Sequence, residues 1–402
     1  MLLTSLLLLM AIGLAYLVIE RARLSRDRSA IPLVIAVSGT RGKSSVTRIL
    51  ASVLRASGRR VLAKTTGSEA KLVKPDGSEE TIRRRGRPSV IEQKHVVGLG
   101  AQLGVDVAVV EVMSIHAENH RVETRKILKP DLVVVTNFRV DHTSAMGDTR
   151  EAVASVLALD IPPGAAAFVL QQECLPEFRA AVKEGGGELV EVPTGAGSHL
   201  YGETIDSNAS AFGENLDLVG AVARSLGIDD ATMAEGVRRT RSEAGALSVW
   251  RYSSGEMENS CYLVNAFAAN DPESTVAVYD KISAVLYAEP GCCVGLVSLR
   301  PDRGDRTLQF LEAFRGGFLS RFSRLYIIGL HAQALARRLR RGGTGPPIEV
   351  LSEKRPAEIT RAVLSGIRES GGVVFGFGNF GGAGEGLVKH WREVGERWGI
   401  ES

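Results

Sequence analysis

The chain has 402 residues, with 49 Lys and Arg against 46 Asp and Glu for a net charge of +3. Its length predicts two to three domains, and the near-balance of charge gives no argument for a nucleic-acid partner, so none is expected. Four cysteines, Cys174, Cys261, Cys292 and Cys293, show no C-x-x-C or Cys/His ligand spacing, which fits a reducing compartment, with Cys292 and Cys293 packed inside an apolar strand.

Residues 1–19, MLLTSLLLLMAIGLAYLVI, carry no charge. As a helix they would extend about 28 Å, enough for a bilayer core. A secretory signal places its charge before the apolar run; here Arg21, Arg23, Arg26 and Arg28 follow it. The positive-inside rule then predicts a single-pass anchor over residues 1–20 in the cytoplasmic membrane, N-terminus outside and the remaining chain cytosolic. The alternative is an unusually apolar buried helix. Ser5, Ala11, Gly13 and Ala15 are small enough to let another membrane helix approach closely.

The stretch LVIAVSGTRGKSSVTRIL (33–50) reads as a buried parallel strand, a glycine turn and an amphipathic helix. Gly39 and Gly42 let the backbone turn its N–H groups toward a phosphate, and the helix start at Ser44 adds partial positive charge. Lys43 would neutralise β- and γ-phosphates and Ser44 would ligate Mg²⁺. The expected nucleotide contacts are therefore Gly39, Thr40, Arg41, Gly42, Lys43, Ser44 and Ser45. The loop is a compact variant of the P-loop, because Val37 stands where the standard pattern has its first glycine.

Strand–helix alternation continues. Strands are predicted at 60–65, 105–113, 131–137, 165–171 and 187–192, and a helix starting near Pro88. Residues 213–239 read as two helices broken at Gly227, the second opening near Asp229. A second alternating block has strands at 261–267, 292–299, 324–330, 347–351 and 371–378. The domain boundary is expected near Ser242–Ser248.

Ligands collect at the C-terminal ends of parallel strands. Glu111 ends one strand; Asn137 ends the next, with Asp141 and His142 beyond. Glu111 and Ser44 would give a hard cation oxygen ligands, and His142 is a candidate for a Mg²⁺ or Mn²⁺ site. His116 and His120, four residues apart, lack an evident third ligand and read as surface or core-edge residues.

SGTRGKSS, VVEVMS and TNFRVDH occur in the order and rough spacing of the Mur-ligase superfamily, which includes folylpolyglutamate synthases. FGENLDLVGAVARSLGID resembles its adenine-contacting helix, with Asn215 at the asparagine position, and VNAFAANDPEST resembles the start of its C-terminal domain. PDGSEETIRRRGRPSVIEQ, NAFAANDPES, RPDRGDRT, FGFGNFGGAG and the N-terminal apolar segment together resemble the ligase subunit of bacterial poly-γ-glutamate synthases.

The resemblance implies an α/β protein with an N-terminal transmembrane helix (1–20), a P-loop Mur-ligase-like ATPase domain with a parallel sheet (21–242) and a smaller Rossmann-like C-terminal domain (243–402). It implies an ATP- and Mg²⁺-dependent amide ligase that activates a γ-carboxylate as an acyl phosphate and adds glutamate to a growing poly-γ-glutamate chain. Lys43 would stabilise the γ-phosphate, Ser44 and Glu111 would hold one metal and His142 a second, and Asn215 would hold the adenine. A multi-spanning membrane partner and a homo-oligomer are also implied. Three departures stand out: residues 143–170 hold no lysine for the superfamily's carbamylated one, Ala246 replaces its junction arginine, and Asn265 replaces an aspartate.

Arg83, Arg84, Arg85 and Arg87 before the Pro88 helix, and Arg300, Arg303 and Arg306 after a strand, are candidate contacts for a polyanionic substrate; Arg303 is also a candidate catalytic group. A solvated loop is the plainer reading of such runs. The rival functions are a membrane-tethered P-loop switch ATPase, a small-molecule kinase and a folylpolyglutamate-synthase-like ligase.

Overall fold

A computed structural model describes the chain apart from residues 1, 68–69, 85, 87, 196–212, 241–246, 254–260, 270, 287–291, 302–303, 342–344, 353–354, 368–370 and 399–402. The chain divides into two compact units at Arg241 and Ser242.

The first unit is built on a mixed sheet whose described strands are β1 (Leu33–Ser38), β2 (Val61–Thr65), β3 (Lys71–Val73), β4 (Glu79–Thr81), β5 (Val107–Glu111), β6 (Leu132–Val135), β7 (Ala166–Leu170) and β8 (Glu188–Val192). Their order is β4-β3-β2-β5-β1-β6-β7-β8, parallel from β2 to β8, with β3 and β4 antiparallel at the edge. β1 is apolar almost throughout and buried, as a central parallel strand covered on both faces must be. The chain leaves β1 between β5 and β6, so the crevice at its C-terminal end is a topological switch point.

Helix α2 (Lys43–Ala56) follows, burying Val46, Ile49, Leu50, Val53 and Leu54. Its spacing was plain in the sequence. The β3–β4 pair was not, because three-residue strands offer no period to read. Its turn is set by Asp76, whose Oδ1 accepts from Ser78 N at 2.9 Å. The next helix, α3 (Glu92–Leu103), starts four residues after the expected Pro88. Ser89 and Ile91 instead form a turn, with Ile91 N donating to Ser89 Oγ at 3.3 Å.

The N-terminal helix α1 runs unbroken from Leu2 to Ser29, past the expected anchor end at residue 20. Its two parts differ. From Leu3 to Ile19 the large apolar side chains are more than half exposed on every side of the helix; a helix apolar all round, long enough and outside the core, has the form of a membrane span. From Glu20 on it packs against α3. Lys94 Nζ bonds Glu20 at 2.7 Å, and Arg28 donates to the main-chain oxygens of Leu128 (2.7 Å) and Lys129 (2.8 Å) and pairs with Asp131 at 2.7 Å.

Beyond β5 come α4 (Ala117–Val122) with a π-helical turn at Glu123–Leu128, α5 (Thr143–Met146), α6 (Arg150–Leu157), α7 (Pro176–Glu184), α8 (Gly213–Ser225) and α9 (Asp230–Arg238). Asp229 caps α9 by accepting from Thr232 N at 2.9 Å.

The second unit has a sheet ordered β13-β12-β11-β14-β10-β9-β15, where β9 is Ser248–Tyr252, β10 Cys261–Ala266, β11 Cys292–Leu299, β12 Arg324–Gly329, β13 Ile348–Val350, β14 Gly372–Gly378 and β15 Glu396–Arg397. β10 to β13 and β14 pair in parallel; β9 and β15 add an antiparallel edge. Its core is rich in aromatic rings, with Phe310, Phe314, Phe318, Phe322, Phe375 and Phe377 in one cluster. Cys261 and Cys293 are buried, as core packing requires.

Candidate active site

The C-terminal ends of β1, β5 and β6 bring together three segments: loop 39–42, Glu111 and Thr136–Asn137. Loop 39–42 turns on two glycines with positive φ, Gly39 at 122° and Gly42 at 79°, the latter capping α2. A Cβ on Gly39 would fall 2.1 Å from Thr136 Oγ1, so the close approach of the loop to β6 also demands glycine.

That approach is laced by hydrogen bonds. Asn137 Oδ1 accepts from Thr40 Oγ1 at 2.7 Å and from Arg41 N at 3.2 Å, and its Nδ2 donates to Arg41 O at 3.1 Å. Thr136 Oγ1 donates to the same carbonyl at 2.5 Å. The Arg41 guanidinium pairs with Asp141 at 3.3 Å. Lys43 Nζ folds back to donate to Gly39 O at 2.8 Å, and Ser45 lies partly buried on the first turn of α2.

Glu111 ends β5 with only 3% of its surface exposed. Its Oε2 accepts from Ser44 Oγ and from Thr66 N, both at 2.7 Å. Two hard oxygens, one of them anionic, at the start of a helix match the donor chemistry that Mg²⁺ or Mn²⁺ takes beside phosphate.

Asn215 sits near the start of α8 with its amide against the loop, since a Cβ on Gly42 would lie 2.9 Å from Asn215 Oδ1. Its Nδ2 is buried and has no hydrogen-bond partner among the described residues. A buried orphan donor beside the phosphate loop fits a ligand that brings its own acceptor, such as an adenine ring nitrogen.

Several expectations change. His142 adopts a left-handed conformation, φ 48°, its Nε2 4.0 Å from Asp141 Oδ2. Among the described residues no group of three or more His, Cys, Asp and Glu is placed to hold a metal. His120 is not at the surface or core edge: it is 1% exposed, with Nδ1 2.9 Å from Asp160 Oδ1. Burial alone would lower its pKa, but the Asp160 carboxylate outweighs this and the net shift is upward.

Among the arginines, Arg83 is exposed. Arg84 is engaged with Glu92 by two bonds, at 2.7 and 3.0 Å. Glu92 also pairs with the buried Lys64 at 3.4 Å; desolvation lowers the pKa of that lysine. Arg85, Arg87 and Arg303 lie outside the described residues, as does Ala246. In the second unit Arg306 is 1% exposed and donates to Gln309 at 3.0 Å, which makes it a structural arginine rather than an open substrate contact. Arg300 follows β11 with its guanidinium over Gly381, whose Cβ position lies 2.7 Å from Arg300 Nη1, just ahead of the helix Ala383–Val394. Asn265 is fully buried and its Oδ1 accepts from Phe267 N at 3.3 Å.

Comparison with known proteins adds a family context. Residues 37–226 match the Mur ligase middle domain, and residues 251–394 the poly-gamma-glutamate synthase CapB C-terminal domain. PGA synthase CapB of Bacillus subtilis (strain 168) is 26% identical over 379 residues, 94% of either chain. Capsule biosynthesis protein CapB of Bacillus anthracis is 29% identical over 284 residues, 70% of this chain but 60% of that protein. In fold, the bifunctional folylpolyglutamate synthase/dihydrofolate synthase of Yersinia pestis, solved with AMPPNP and Mn ion, superposes with a TM-score of 0.63 at 15% identity, covering 93% of each chain.

Proposed function

We propose that the chain, which matches the Mur ligase middle domain over residues 37–226 and the poly-gamma-glutamate synthase CapB C-terminal domain over residues 251–394, uses ATP to join glutamate through γ-carboxyl groups into poly-γ-glutamate. The observation that carries this reading is the convergence of Lys43, Ser44, Glu111 and the orphan Asn215 amide on loop 39–42.

The chemistry needs an activated carboxylate, because a carboxylate is a poor electrophile at neutral pH. One oxygen of the chain-end γ-carboxylate attacks the γ-phosphorus of ATP, and the bond from that phosphorus to the β-bridging oxygen breaks, leaving ADP. The amine of an incoming glutamate then attacks the acyl carbon; the C–N bond forms, the C–O bond to phosphate breaks, and the amine loses its proton to solvent.

Lys43 would lie along the β- and γ-phosphates once it leaves Gly39 O, and the N–H groups of loop 39–42 with Ser45 would hold the same oxygens. Ser44 and Glu111 would hold Mg²⁺ or Mn²⁺, which supplies charge neutralisation at the phosphates when bound. His142 would serve a second cation together with phosphate oxygens. Asn215 would receive the adenine. Such a site accelerates the reaction by position and electrostatics.

The polyanionic chain would meet arginine, with exposed Arg83 and half-buried Arg84 and Arg300 as described candidates and Arg303 a further one. We assign residues 1–20 to a membrane anchor with its N-terminus outside, 21–242 to the ATP-binding domain and 243–402 to the C-terminal domain. One spanning helix makes no channel for a polymer, so a multi-spanning membrane subunit is the expected partner, with self-association of this chain. Co-purification from native membranes, followed by ATP-dependent incorporation of labelled glutamate, tests the reading; full activity with no membrane partner contradicts the last part of it.

A further inference from the structure

Behind the site lies a second set of buried polar groups to which the proposed chemistry gives no role. Helix α4 runs straight into its π-helical turn, closed by Lys129 N donating to Thr124 O at 2.7 Å. His120 and Glu123 stand three residues apart on one face of this segment, exposed by 1% and 0%.

Glu123 grips the exit of β5. Its carboxylate accepts from Met113 N at 3.0 Å, from Ser114 N at 2.9 Å, from the Ser114 hydroxyl and from Gln93 Nε2. Gln93 Nε2 also donates to the main-chain oxygen of Glu111 at 3.2 Å. His120 grips the exit of β1. Its ring reaches Asp160, whose other oxygen accepts from Ser38 Oγ at 2.5 Å. Ser38 ends β1 directly before Gly39. A buried carboxylate is tolerable only while its donors stay in place, so each grip permits little displacement. π-helical turns are uncommon and recur at functional sites.

We infer that residues 117–128 are a brace that sets the spacing between Glu111 and loop 39–42, with Glu123 and His120 as the positioning residues at its two contacts. The inference rests on the reading of Glu111 as a metal ligand. Loosening the Glu123 contact shifts Glu111 against Ser44 and weakens metal binding. Loosening the His120 contact shifts Gly39 and the N–H groups after it, and weakens phosphate binding even without metal.

The test uses the full chain in detergent and two equilibrium readouts. Mn²⁺ binding in the presence of ADP is followed by the resonance signal of the free ion, and ADP binding in EDTA by dialysis. E123Q loses about tenfold in Mn²⁺ affinity, the usual scale for a group supporting a metal ligand, and binds ADP in EDTA as the parent does. H120A weakens ADP binding in EDTA several-fold, and H120N, which returns an N–H donor toward Asp160, recovers most of it. Equal losses of both ligands in every variant, in proportion to the fall in Tm, overturn the brace in favour of plain structural support, and so does parent-like binding in E123Q and H120A. E111Q separates the two readings: retained Mn²⁺ affinity in E111Q overturns the metal assignment, whereas its loss there with none in E123Q overturns the brace alone.

Discussion

The Ser44 hydroxyl donates to Glu111 Oε2 across 2.7 Å, joining the first turn of α2 to the end of β5. Sixty-seven residues separate the two in sequence. The same carboxylate oxygen accepts from Thr66 N, so Glu111 stays anchored when the serine is removed. S44A is expected to cost about 1 kcal/mol in stability, the net worth of one such bond, while the Mg²⁺ needed for half-maximal ATP turnover rises steeply. A magnesium titration beside urea denaturation checks both; an unchanged magnesium requirement contradicts the role of Ser44.

Gly39 is expected to tolerate no side chain. An alanine Cβ there meets Thr136 Oγ1 at 2.1 Å and Thr136 N at 3.0 Å, at a φ of 122°. G39A should lose about 2 kcal/mol or more and bind nucleotide too weakly to measure by calorimetry. Parent-like ADP binding in G39A would show that the loop finds another path.

His120 makes stability depend on pH. Its folded pKa lies above 6.5, so the pairing with Asp160 contributes its full stability below the unfolded value near 6.5 and loses it as pH rises through the folded value. H120N keeps a neutral donor near Asp160, so the gap in Tm between parent and H120N isolates the charge. That gap should be widest in mild acid and narrow toward alkaline pH; a gap independent of pH contradicts a charged His120.

The two parts of α1 should separate cleanly. Deleting residues 1–19 removes exposed apolar surface and keeps the Glu20–Lys94 pair and the Arg28 clamp. The shortened chain is expected to stay folded, leave the membrane fraction and keep ADP binding. R28A within it should cost about 2 kcal/mol, because a guanidinium bonded to carbonyls and a carboxylate is lost, read by urea denaturation.

Loop 39–42 was legible because a short apolar run, two glycines and an amphipathic helix occupy consecutive positions and each shows its own period. The strand end at Glu111 was legible for the same reason, whereas β6 stops at Val135, two residues before the expected end at Asn137. Asn215 came from family likeness, and the structure sets its amide beside Gly42. The brace was not legible. Ser38 and Asp160 are 122 residues apart, and His120 and Asp160 are 40 apart, so only the fold brings them together. The surroundings of Arg84 and Arg306 were not legible, because a run of arginines looks alike whether it faces solvent, Glu92 or a protein core. Burial is a property of the packed chain, and no local pattern reports it.

The central claim is carboxylate activation for γ-linked polymer growth. Membranes carrying this chain with its native membrane neighbours would receive Mg-ATP and isotope-labelled glutamate, with mass spectrometry following γ-linked oligomers, ADP and AMP. The account predicts labelled γ-linked oligomers formed with ADP, and none with K43A. ATP turnover indifferent to glutamate, with no amide product even beside those neighbours, would contradict it and point to a switch ATPase instead.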